Sequence, residues 1–135
     1  MAKNKIFIDS CAVIALFDAR DQYHASAKNK FESLLPASRF FSSDYILDEV
    51  ITFLNCRHDK SIAWEAGRSL YSSGVVEMIV IDKEDISKGV ARFQRTSVKG
   101  VSFTDIMTCI VMDECGMDHV FTFDGHFHAL GYIVV

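Results

Sequence analysis

The chain has 135 residues, half of them hydrophobic, with a formal charge of −4 and four cysteines. A chain of this size buries roughly two-thirds of its unfolded surface, and no apolar run approaches the roughly 20 residues of a membrane-spanning helix. No apolar segment with a small-residue cleavage site follows Met1-Ala-Lys-Asn-Lys5, so the expectation is one soluble domain over residues 1–135 in the cytoplasm, with no membrane partner. The cysteines Cys11, Cys56, Cys109 and Cys115 form no Cys-x-x-Cys pair and are expected to be reduced packing residues. The negative charge excludes a protein that coats itself with nucleic acid by bulk attraction, and it leaves open a local phosphate-binding groove.

Lys5-Ile6-Phe7-Ile8 reads as a strand that stops at Asp9-Ser10 and runs into a helix from Cys11 to Phe17. A polar break at Asp18-Ala-Arg-Asp-Gln22 precedes a helix from His24 to Leu35, which Pro36 ends. Phe40 and Phe41 suggest a very short strand, and Ser43 is a natural cap for a helix from Asp44 to Arg57. Asp59 or Ser61 caps another helix that ends near Ser73-Gly74. Ile46, Leu47, Val50, Ile51, Phe53, Leu54, Ile62, Ala63, Trp64, Ala66 and Leu70 are expected to pack this helical hairpin beside the sheet.

Val75 to Ile81 reads as a strand and Lys83 to Arg95 as a helix. Ser102 caps a strongly apolar helix, Phe103 to Glu114, which Gly116 ends. His119 to Phe123 and Tyr132 to Val135 read as the last strands, with Asp124 at the end of the former. Strands alternating with helices predict an α/β fold, a three-layer α/β/α sandwich on a central parallel sheet of about five strands. The basic runs Arg92, Arg95, Lys99 and Lys28, Lys30, Arg39 read as solvated faces.

Four carboxylates stand out. Asp9 ends a strand, where ligands bind in open α/β sheets, although an acid there also suits the positive end of the next helix. Glu49 lies one turn from Phe53 on the flank of an apolar helix face, whereas Asp48 points nearly opposite and is expected in solvent. Asp105 sits in the first turn of a helix apolar almost all round, where a carboxylate needs a partner. Its spacing from Ser102 also fits a capping box. Asp9, Glu49, Asp105 and Asp124 could converge on one crevice, and like charges about 4 Å apart repel by roughly 4 kcal/mol near a protein surface, so a cluster calls for a cation. An all-oxygen set suits Mg²⁺ or Mn²⁺ and metal-assisted phosphodiester hydrolysis. His126 and His128, two apart with no companion ligand, are set aside as a zinc site. Asp21 and Asp118 are read as solvated.

These stretches, Ile6-Phe-Ile-Asp9-Ser10, Ser43-Asp-Tyr-Ile-Leu-Asp-Glu49-Val, Ser102-Phe-Thr-Asp105-Ile and Val120-Phe-Thr122-Phe-Asp124-Gly-His-Phe127, in this order resemble the PIN-domain ribonucleases. The likeness is greatest to the small toxin subunits of VapBC-type toxin–antitoxin pairs. The resemblance implies that Asp9, Glu49, Asp105 and Asp124 are metal ligands and that Ser10 and Thr122 are supporting hydroxyls. It also implies an RNA substrate, a cognate antitoxin protein and a homodimer. The competing reading is a PIN-like domain that works in RNA processing or as a non-catalytic interaction module. A phosphoaspartate enzyme is disfavoured because Cys11 stands where its second acid would be. A P-loop or dinucleotide site is excluded by the lack of a Gly-rich strand-to-helix turn.

Overall fold

Three successive apolar residues, Ile6, Phe7 and Ile8, are all buried, which is the mark of a strand covered on both faces and therefore central in a parallel sheet. The computed structural model describes residues 2–135. Its strands are β1 (Asn4–Ile8), β2 (Ser38–Ser43), β3 (Val76–Ile79), β4 (His119–Phe121) and β5 (Ile133–Val134). The helices are α1 (Ser10–Phe17), α2 (His24–Leu34), α3 (Asp44–Arg57), α4 (Lys60–Ser72), α5 (Lys83–Arg95), α6 (Phe103–Glu114) and α7 (His126–Ala129). All pairings are parallel and the sheet order is β3-β2-β1-β4-β5.

Helices α1 to α4 pack on one another, and α5 packs on α6. Right-handed crossovers place these two groups on opposite faces, because the chain moves outward from β1 to β3 and then returns across it. Phe7, Phe40, Phe121 and Phe127 fill the centre. On the second face Gly89 lets α5 press onto α6: a Cβ there would meet Met107 Sδ at 2.1 Å.

The expected order of elements is the observed one, with differences at the ends. Strand β2 is longer than Phe40–Phe41, and β4 stops at Phe121, which frees Thr122 and Phe123 from the sheet. Helix α7 lies where a turn is expected. The helical hairpin is also thinner than its composition suggests. Its inner face is Ile46, Val50 and Leu54 against Ala63, Ala66 and Leu70, and the small residues let the helices close up. Trp64, 66% exposed, and Ile51 and Phe53 are therefore left outside the core in which they are expected. Cys56 is exposed rather than a packing residue.

Candidate active site

The chain leaves β1 toward β2 on one side and reaches β4 on the other, so the crevice outside the carboxyl ends of β1 and β4 is the topological switch point of the sheet. Asp9 follows β1 and Thr122 and Asp124 follow β4. The backbone N–H of Asp9 donates to Phe121 O at 3.0 Å, which fixes the two strand ends side by side.

Asp9 is the N-cap residue of α1, yet its side chain makes no capping hydrogen bond. Its carboxylate is instead almost completely buried and accepts from Thr122 Oγ1 at 2.9 Å and from the Cys11 thiol at 3.4 Å. Burial pushes this carboxyl up to about 6, against the hydrogen bond from Thr122, and the charge of Asp105 adds to the rise. The Cys11 thiol, pushed up to about 12 by burial and next by Asp9, stays protonated. It is a donor in the site and not a nucleophile. Thr122 Oγ1 also accepts from the Asp124 N–H at 3.0 Å. One buried hydroxyl thus ties the two strand-end acids together.

The first turn of α6 holds Asp105 in a full capping box. Ser102 Oγ accepts from the Asp105 N–H at 3.0 Å, and Asp105 Oδ2 accepts from the Ser102 N–H at 3.1 Å. Burial raises this carboxyl as well, with the charges of Asp124 and Glu49 adding to the rise and the Ser102 hydrogen bonds opposing it. Both readings of Asp105 hold at once: the acid caps its helix and faces other acids. Asp105, Asp124 and His126 each offer a ligand atom within 4.8 Å of the others. His126 Nδ1 lies 2.9 Å from Asp124 Oδ1 and 3.9 Å from Asp105 Oδ2.

Glu49 reaches the same region from α3, where its Oε1 accepts a hydrogen bond from Ser10 Oγ. It lines a groove of about 580 Å³ together with Ser10, Asp124, Tyr23, Phe53 and Phe123. Asp48 is exposed, as expected of its side of the helix. Asp118 is exposed and bound to His119, while Asp21 lines the groove and accepts the Tyr23 N–H at 2.8 Å.

This geometry places His126, considered from the sequence only as half of a zinc pair with His128, beside the acids instead. Residue 124 turns the chain back on itself, its Oδ1 accepting the His126 N–H at 2.9 Å, and α7 then aims the imidazole at Asp105. The Asp-Gly-His spacing was the available signal. His128 is exposed and takes no part.

Among the described residues no Lys or Arg pairs with Asp9, Glu49, Asp105 or Asp124. Burial is the main cause of the raised proton affinity of Asp9 and Asp105, and the neighbouring acids add to it. A hard divalent cation fits such a donor set of carboxylate oxygens with one imidazole at its edge.

Fold and site together define a doubly wound α/β protein with a carboxylate cluster, free of Lys and Arg among the described residues, at its switch point. The sequence matches the PIN domain family over residues 6–131, and the chain belongs to that family. It is 32% identical over 132 residues to the 23S rRNA-specific endonuclease VapC20 of Mycobacterium tuberculosis, covering 96% of this chain and 97% of the relative. The crystal structure of VapC20, a sarcin–ricin loop cleaving toxin, superposes with a TM-score of 0.88 at 28% identity, over 95% of this chain and 96% of that one. VapBC2 of Rickettsia felis, bound to a promoter DNA fragment, shares the fold with a TM-score of 0.73 at 11% identity over 97% of both chains. A toxin–antitoxin complex from Klebsiella pneumoniae does so at 0.67 and 20%, over 96% of this chain and 95% of that one.

Proposed function

We propose that this chain is a metal-dependent endoribonuclease and the toxin of a toxin–antitoxin pair, with Asp9, Glu49, Asp105 and Asp124 as the ligands of Mg²⁺ or Mn²⁺. The observation that supports it most is the set of acids at the switch point that no Lys or Arg neutralises among the described residues. The likeness to VapC20 over nearly the whole chain supports the choice of RNA. A bound cation would supply charge neutralisation at the phosphate and acidification of an attacking water.

The chain's own residues prepare that chemistry. Thr122 holds Asp9 and the Asp124 backbone in one geometry, Ser10 holds Glu49, and Ser102 fixes the Asp105 rotamer. Such partners orient ligands before the ion arrives. Asp9 must give up its proton to bind a cation, so binding strengthens as pH rises through about 6. His126, against Asp124, sits at the edge of the site as a further nitrogen donor.

The reading also takes a cognate antitoxin protein as partner, a homodimer as the working form, the cytoplasm as its place and residues 1–135 as one nuclease domain. Among the described residues no helix is long and apolar enough to cross a membrane. The test is cleavage of a sarcin–ricin hairpin and of a mixed single-stranded RNA pool with Mg²⁺ or Mn²⁺. Controls are EDTA, Asp9→Asn and Asp105→Asn. Metal-dependent cutting that both variants lose is expected; no cutting of any RNA, with no metal effect on the melting temperature, overturns the reading. Co-purification with the product of a neighbouring small reading frame tests the toxin role, and light scattering tests the dimer.

A further inference from the structure

Beside the acidic cluster stands an aromatic wall that neither the metal chemistry nor the core requires. Tyr23 lies just before α2, its N–H bound to Asp21 and its carbonyl accepting the Ala27 N–H at 2.8 Å, so its backbone is held at both ends. Its ring stacks on Phe123 with centroids 4.4 Å apart and planes within 3° of parallel. Phe123 is itself braced edge-on by Phe121 of β4. Tyr23 still remains 41% exposed, and it lines the groove that contains Glu49 and Asp124.

Phe53, 38% exposed, lines that groove too and is also part of a second groove running past it along α3. In the second groove Arg57 lies with its guanidinium 5.4 Å from the Phe53 ring centre. One exposed aromatic is ordinary, but two on one groove beside a charged cluster form an apolar surface with a purpose.

We infer that Tyr23, stacked on Phe123, is a platform for an unpaired nucleobase of RNA next to the scissile phosphate, with Phe53 beside it and Arg57 taking a neighbouring phosphate. The inference rests on the nuclease reading above. Single-stranded nucleic acid is held by stacking of bases on aromatic rings, which tolerates any base, and by cations that follow the backbone. Here the net charge of −4 and the acids at the switch point repel the RNA backbone. Stacking adds attraction that does not depend on charge, and Tyr23 offers it in the groove that Asp124 and Glu49 also line. The rigid backing of Tyr23 by Phe123 lowers the ordering cost of the platform.

The experiment titrates the full chain, in Ca²⁺, with a single-stranded oligoribonucleotide carrying fluorescein or, separately, 2-aminopurine. RNA cleavage in Mg²⁺ or Mn²⁺ is followed in parallel. Tyr23→Leu keeps apolar cover on Phe123 and is expected to weaken binding about tenfold and to reduce the 2-aminopurine quenching, whereas Tyr23→Phe and Tyr23→Trp bind like wild type. Arg57→Gln is expected to lower the salt slope of binding by roughly one. Wild-type binding by Tyr23→Leu, an equal loss in Tyr23→Phe, or no binding by the wild type overturns the platform. If the wild type and Tyr23→Leu cut RNA alike, only the platform is refuted and the groove is left to a protein partner. If RNA binds through Tyr23 and is never cut, the platform stands and the nuclease reading fails.

Discussion

Carboxylates meet very different company at the two ends of α6. At its C-terminal end, Asp113 is paired with Arg92 at 2.7 Å, and Tyr132 OH bridges them, donating to Asp113 at 2.7 Å and accepting from Arg92 at 3.1 Å. Three elements are locked together by complementary groups. At the switch point, beside the first turn of the same helix, Asp9 and Asp105 have hydrogen bonds and no Lys or Arg partner, the nearest basic group to Asp105 being the His126 imidazole at 3.9 Å, and both carboxyls are raised by burial. The same chain thus gives one carboxylate an arginine at the far end of α6 and leaves the acids of the switch point without Lys or Arg. Stored electrostatic cost of this kind marks functional sites.

The largest effect that could break this comparison is on activity. Asp105→Asn is expected to leave less than about one hundredth of wild-type RNA cleavage, since even the outer partners of metal ligands cost 10–100-fold when lost. Its fold, followed by circular dichroism, should survive, because the asparagine oxygen can still cap Ser102. Cleavage near wild-type level would place the acids of the switch point with the ordinary helix caps.

The next effect is on stability and pH. Asp9 holds its proton up to about 6 in the folded chain, against 3.8 as the ordinary value, so the folded state binds more protons than the unfolded between these limits. The metal-free protein should therefore lose stability as pH rises from about 4 to 6, by at most roughly 3 kcal/mol, and stay at the lower level above that. Urea unfolding of wild type and Asp9→Asn across this range isolates the effect as the difference between the two curves. The variant is expected to be the more stable at pH 7 without metal, and added Mg²⁺ or Mn²⁺ should raise only the wild type. A wild-type curve parallel to that of Asp9→Asn would mean that Asp9 is not under electrostatic strain.

Thr122→Val sharpens the contrast by keeping shape and removing the hydroxyl that serves Asp9 and Asp124. Metal affinity or cleavage should fall about 10–100-fold, read as the metal concentration for half-maximal cutting. On the paired side, Arg92→Met should cost about 1–2 kcal/mol in urea unfolding, a range lowered because Asp113 is half-exposed and keeps Tyr132. Its metal-induced stabilisation should equal that of wild type. A change in metal response there would show that the two regions are coupled.

Much of this was legible in the residues. The order of strands and helices follows from periodicity and caps, and three of the four acids stand out at a strand end or in an apolar turn, with Glu49 on the flank of an apolar helix face. The misses were all matters of which face meets what. Trp64 and Phe53 are large and apolar and were expected inside, but the small residues Ala63 and Ala66 brought α3 and α4 too close to admit them. The sequence pairs His126 with His128 alone, whereas the Asp124 side chain, accepting the His126 N–H, brings that imidazole toward Asp105 of α6.

By itself the sequence determined the local facts: a carboxylate at the end of β1, a capping box that fixes Asp105, a glutamate on the flank of α3. These depend on neighbours within a turn or two, and short-range sterics and hydrogen bonds suffice to specify them. That β4 returns beside β1, so that Thr122 can reach Asp9 across more than a hundred residues, was decided only by the tertiary structure. The same is true of Tyr23 lying flat on Phe123. Such contacts depend on which strand the sheet admits next to its central one, which is fixed by the packing of both helical layers at once and by no short stretch of chain.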